Sequence, residues 1–143
     1  MKSGIKTILV VSILLTVLMA FHNKETSIES PIHQLRIYQV PKENRMVFHE
    51  RFRDHAHRIM KKYGFNIVSI WESNFNNKVE FVYLLEWKDK KTMENAWKNF
   101  MADQEWKDIK KESSKIHGTF VENIEDRTLM LTDYSPQKKL LKE

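Results

Sequence analysis

With 143 residues, 41% hydrophobic and 30% charged, the chain is long enough for one folded domain and too apolar to be disordered. It has no cysteine, which excludes disulfides, thiol nucleophiles, cysteine-based zinc sites and a lipid-modified cysteine. The formal charge of +5 falls to +3 (22 basic, 19 acidic) once Lys2 and Lys6 are set aside, and the lysines of 88–91 and 107–115 alternate with acids, so a solvated surface and no nucleic-acid partner are expected.

Residues 1–21 read as a targeting segment. Lys2 and Lys6 precede an apolar run over 7–21, short for a spanning helix and suited to a signal-peptide core. Ala20 suits a cleavage site and Leu18 does not, so three outcomes stand: a cleaved leader, with the protein periplasmic or extracellular, an uncleaved membrane anchor, or a misread start. Residues 22–31 read as a polar linker ending at Pro31.

The domain is expected over 32–136, followed by a basic tail over 137–143. A first strand spans 33–40, with Leu35 and Ile37 on one side and Arg36 and Tyr38 on the other. A helix over 43–63 carries Phe48, Phe52, Ala56, Ile59 and Tyr63 at helical spacing and ends at Gly64. Strands over 65–72 and 79–87 flank an Asn-rich turn and form a hairpin. A second helical region over 92–114 breaks at Ala102 and Asp103, where Asp103 can cap a further helical segment. Gly118 turns the chain, 119–124 is an edge strand or extended link, and a last strand is expected over 127–134.

Strand, helix, strand, strand, helix, strand is the ferredoxin-like βαββαβ order, an α+β sandwich with both helices on one face of a four-stranded antiparallel sheet. Strand 79–87 is apolar on both sides, so both sides need cover. The aliphatic set (Leu35, Ile37, Val68, Ile70, Val82, Leu84, Leu129, Leu131) is assigned to the helices. The opposite set, led by Arg36, Tyr38, Trp71, Phe81, Tyr83, Leu85 and Trp87, is assigned to a partner sheet. On that reading the protein is a homodimer with a lined cavity between two sheets. The assignment rests on one register, which a one-residue slip inverts.

Several short pieces, in order, resemble one family. They are Leu35, Arg36, Ile37, Tyr38; then Phe52, Arg53, Asp54, His55; then Tyr63, Gly64, Phe65; then Phe81, Val82, Tyr83, Leu84; then Ala96, Trp97 and Phe100; then Asp103, Glu105, Trp106; and finally Tyr134, Ser135, Pro136. Together they resemble a NIPSNAP domain over about 32–136. The resemblance implies a dimeric α+β barrel, in which two ferredoxin-like units pair their sheets. It implies no established reaction, although related barrel families include cofactor-free monooxygenases and haem-degrading enzymes. Gln104 stands where many relatives have proline, and a leader for export departs from the mitochondrial placement of eukaryotic members.

Arg36 and Tyr38 are the leading ligand-binding candidates, because an arginine in a partly closed cavity binds carboxylate or phosphate bidentately and a tyrosine donates a hydrogen bond. The competing role for Arg36 is an ion pair with Glu80 or Asp133. Trp71, Phe81 and Tyr83 would wall an aromatic pocket or simply pack the interface. His55 is the one candidate acid or base, set against a structural histidine under the sheet. His49, His55 and His57 lack the i, i+4 spacing of a helical metal pair, so no metal is expected. There is no phosphate loop or nucleophile elbow, and no cofactor is called for. Three functions follow: a binding domain for a small molecule or protein, an enzyme such as a cofactor-free monooxygenase using Arg36, Tyr38 and His55, or a structural oligomerisation module.

Overall fold

The computed structural model describes residues 31–137 and 140; the leader, the linker up to residue 30 and most of the basic tail lie outside the described residues. Strand β1 (Ile32–Val40) ends at Pro41, which has no N–H to continue a ladder. A 3-10 turn (Lys42–Asn44) feeds a continuous helical rod: α1 (Arg45–Arg51), a π-helical turn (Phe52–Ala56) and α2 (His57–Lys62). Tyr63 and Gly64 close it, Gly64 at φ 79°, where a side chain would be strained.

Strands β2 (Asn66–Phe75) and β3 (Lys78–Trp87) form the expected hairpin. Its two central residues, Asn76 and Asn77, both adopt positive φ, which asparagine tolerates and which matches the strand twist. Helices α3 (Lys90–Ala102) and α4 (Gln104–His117) follow, capped by the side chains of Asp89 and Asp103. Strand β4 (Asn123–Met130) completes an antiparallel sheet of order β2-β3-β1-β4, the ferredoxin-like α+β arrangement. Among the described residues no helix is long and apolar enough to cross a membrane.

Two expectations are corrected. The last strand covers Asn123–Met130 and not 127–134, because β4 is an edge strand placed by its ladder with β1, Gln39 opposite Asn123 and Ile32 opposite Met130. The alternation of Leu129 and Leu131 with Met130 and Thr132 imitates a strand but has too little of β1 left to pair with.

The second correction is larger. Phe81, Tyr83, Leu85 and Trp87 face the chain's own helices and are all at most 2% exposed. They pack with Phe48, Phe52, Ala56, Ile59, Phe65 and Phe100. The aliphatic positions Leu35, Ile37, Val82 and Leu84 lie on the other, helix-free side and stay half-buried. The cause is bulk: the helix layer presents aromatic rings, and only the larger side chains of β3 fill the space beneath it. A bulge between Ile67 and Ser69 also changes the parity of β2. Ile67 therefore stands opposite Leu85 on the helix side, while Trp71 stands opposite Val82 on the helix-free side. Trp71 is thereby removed from any pocket with Arg36.

Candidate functional site

The register of β1 puts Gln34, Arg36 and Tyr38 on the helix side of the sheet, opposite Leu85, Tyr83 and Phe81 of β3. On the other flank Arg36 stands opposite Asp126 of β4, so the edge strand supplies a carboxylate to the same side. The helical rod and α3–α4 do not close completely over this corner. They leave a cavity of about 470 Å³. Phe48, Phe52, Ala56, Met60, Phe100 and Trp106 wall it from the helices, and Arg36, Tyr38, Ile124 and Asp126 from the sheet. Such a volume is in the range that holds a small organic ligand, roughly 300–1,000 Å³.

The π-helical turn shapes this wall. His57 N–H donates to the Phe52 carbonyl, five residues back, so the rod widens by one residue there. Phe52 and Ala56, the ends of that turn, both line the cavity.

The sheet side is a connected polar wall. The indole N–H groups of Trp87 and Trp97 donate to Gln34 Oε1 at 3.2 and 2.8 Å. Gln34 Nε2 donates to both Asp126 oxygens at 2.8 and 3.0 Å. Arg36 donates to the same carboxylate and, at 3.1 Å, to the Tyr38 hydroxyl, which shares a 2.9 Å hydrogen bond with the hydroxyl of Tyr83. The Arg36 guanidinium lies 4.6 Å from the centroid of Trp97, a cation–π contact. Burial works against the Arg36 charge, but the oxygens of Tyr38, Tyr83 and Asp126 reverse that effect and hold its pKa above the usual value. Burial, then Tyr38, pushes the Tyr83 hydroxyl well above the usual phenol range.

The candidate residues thus separate. Arg36 and Tyr38 line a cavity together, but it is not the expected one between two sheets: it lies between the sheet and the helices of one chain. Tyr83 forms its hydrogen-bonded floor through Tyr38. Phe81 is core beneath it, in contact with Phe48, Phe52 and Tyr38. Trp71 is on the opposite face, 48% exposed. His55 is neither under the sheet nor in the cavity; it lies exposed in a shallow groove with Asp54, Ile109 and His117. The ion-pair partner of Arg36 is Asp126 and not Glu80 or Asp133, because β4 begins earlier than expected. Among the described residues no group of three or more His, Asp or Glu is placed to hold a metal ion.

Four residues of the site carry no distinctive sequence signal. Gln34 and Asp126 depend on the register of two strands. Arg51 and Lys110 line the cavity from α1 and α4, but each is one of many cations on a helix surface.

No curated protein matches the chain. Solved structures do. A NIPSNAP-like domain protein from Burkholderia xenovorans superposes with a TM-score of 0.63 at 16% identity, covering 76% of this chain and 90% of its own. Two NIPSNAP family structures from Agrobacterium tumefaciens give TM-scores of 0.64 and 0.63, each at 18% identity and over 74% of this chain, covering 97% and 92% of theirs. At these identities the likeness shows the fold. The NIPSNAP family model matches residues 33–136, most of the chain, and the chain therefore belongs to the NIPSNAP family.

Proposed function

We propose that this NIPSNAP domain is a small-molecule-binding protein that holds a largely apolar ligand between its helix layer and its sheet. The cavity carries the proposal. It is walled by aromatic and aliphatic side chains, and one side offers a prearranged polar wall of Asp126, Arg36 and Tyr38, with Gln34 bracing Asp126 from behind. Binding is preferred to turnover on two grounds. Asp126, the carboxylate in the cavity, is committed to Arg36 and Gln34. The Tyr83 hydroxyl is shifted away from the range of a useful base.

The helix-free side of the sheet fits a second copy of the chain. Leu35, Ile37, Trp71, Val82 and Leu84 form an apolar centre, with Glu80, Glu86, Glu125 and Arg127 around it. An apolar sheet face of this size is costly to leave in water, and pairing two such faces gives a sheet-on-sheet dimer. The apolar run over 7–21 behind Lys2 and Lys6 supports an exported or membrane-tethered domain, to be checked by sequencing the amino terminus of the mature protein.

Native mass spectrometry of protein from cells expressing all 143 residues tests the binding reading. A co-purifying small molecule should be present in the wild type and absent from Met101→Trp, which fills the half-exposed rim of the cavity. A ligand retained equally by both would place binding elsewhere.

A further inference from the structure

The cavity holds three cations, and they are not equivalent. Arg36 is already neutralised: Asp126 pairs with it, and Tyr38 accepts a further hydrogen bond. Arg51 and Lys110 enter from the helix side. The Arg51 guanidinium lies 3.5 Å from the ring centroid of Phe120 and 5.6 Å from that of Trp106. Its side-chain hydrogen bond goes to a neutral acceptor, Ser113 Oγ, at 3.0 Å. Lys110 Nζ lies 5.7 Å from the same Trp106 ring, one turn along α4. Among the described residues neither cation has a carboxylate within 4.0 Å.

Two partly buried cations beside one indole ring, with no carboxylate in ion-pair contact among the described residues, are unfavourable without an anion. Burial weighs on both charges. Burial pushes Arg51 down to about 10. Burial, then Arg51, then Lys107, lowers Lys110. The rest of the lining is apolar apart from the sheet wall, whose charges already balance.

We infer that Arg51 and Lys110 form the anion-binding end of the cavity, and that its ligand is an amphiphilic monocarboxylic acid: an apolar chain or ring bearing one carboxylate. This rests on the reading that the cavity holds a small molecule. The carboxylate lies between the guanidinium and the ammonium, near the Trp106 edge of the cavity, where one charge relieves both cations. The apolar body lies along Phe48, Phe52, Ala56, Met60 and Phe100. A doubly charged head would bring more hydration than a corner walled by Trp106 and Val121 can replace, so a carboxylate is favoured over a phosphate monoester.

The test is calorimetric titration of the full chain with decanoate, decanol and decyl phosphate, each below its aggregation limit. Decanoate should bind about tenfold more tightly than decanol, the worth of a charge-assisted contact, and more tightly than decyl phosphate. Lys110→Met should lose about that tenfold for decanoate and leave decanol unchanged. Met101→Trp and Ile124→Trp, at two half-exposed points of the lining, should abolish both. Equal binding of decanoate and decanol, blocked by the tryptophans, would overturn the anionic end and leave the cavity reading standing. No binding by any of the three would overturn both. Tighter binding of decyl phosphate would overturn the carboxylate assignment.

Discussion

Asp103 joins the two halves of the helix layer. Its carboxylate caps α4 by accepting from Trp106 N–H at 2.9 Å, and it also accepts from the Tyr63 hydroxyl at 2.7 Å and Lys62 Nζ at 3.0 Å. Those bonds, Tyr63 first, hold its pKa well below the usual carboxylate range. A depressed folded-state pKa stabilises the fold above the unfolded value of about 3.9, and that stability is lost as the pH falls further toward the folded value. Asp103→Asn should therefore cost about 1–2 kcal/mol at pH 7 by chemical denaturation, and should flatten the loss of stability below about pH 4. Gln104 is the first residue of α4, a position that tolerates most residues, and its amide reaches Asp108 at 2.8 Å. Gln34 is a second such point, 2% exposed and bonded to two indoles and Asp126. Gln34→Leu strands both indole N–H groups and should cost about 2–3 kcal/mol, read from the urea midpoint. Neither the importance of Gln34 nor that of Arg51 and Lys110 can be read from residue type. Arg36 and Tyr38 could be picked out because a charged and a phenolic side chain share one side of an otherwise apolar strand.

Among the elements, β3 decides how the molecule is put together, and its two sides are chemically close. One carries Phe81, Tyr83, Leu85 and Trp87; the other carries Val82 and Leu84 between Glu80 and Glu86. Periodicity separates the sides without saying which is inner. The glutamates were the legible clue, since a face that ends in carboxylates at both ends lies nearer water. Arg36 and Tyr38 point the other way in the sequence, because the carboxylate that satisfies Arg36 on the inner side comes from Asp126 on β4, an edge strand with little periodic signal. Helices and hairpin were readable because period and turn residues agree over many positions. The π-helical turn and the β2 bulge were not, since each is a one-residue irregularity that composition does not mark. The inner and outer sides differ measurably. Phe81→Ala should cost about 3–5 kcal/mol, and Val82→Ala about 1 kcal/mol when scored on the monomer. Equal costs in thermal and urea unfolding would contradict the assignment of β3's sides.

At the scale of the whole molecule, the described residues form a closed face, a face left largely open but crossed at one end by residues 131–136 and Leu140, and an unfilled corner. The closed face is the aromatic core under the helices. The open face is proposed to close by pairing, which would bury on the order of 800 Å² per subunit. Light scattering should therefore give a dimer for the full chain and a folded monomer for Val82→Lys; a monomeric wild type would remove the pairing. The unfilled corner is the cavity, and it bears the functional account. Its methionines make it directly observable, because Met60 and Met101 line it while Met130, exposed at the end of β4, borders a separate hollow with Leu84 and Leu129. The decisive measurement is a methyl-labelled methionine NMR titration of the full chain with decanoate. The account predicts that the Met60 and Met101 methyl signals shift and saturate together while Met46 and Met130 stay in place. Shifts confined to Met130, or none at Met60 and Met101, would contradict it.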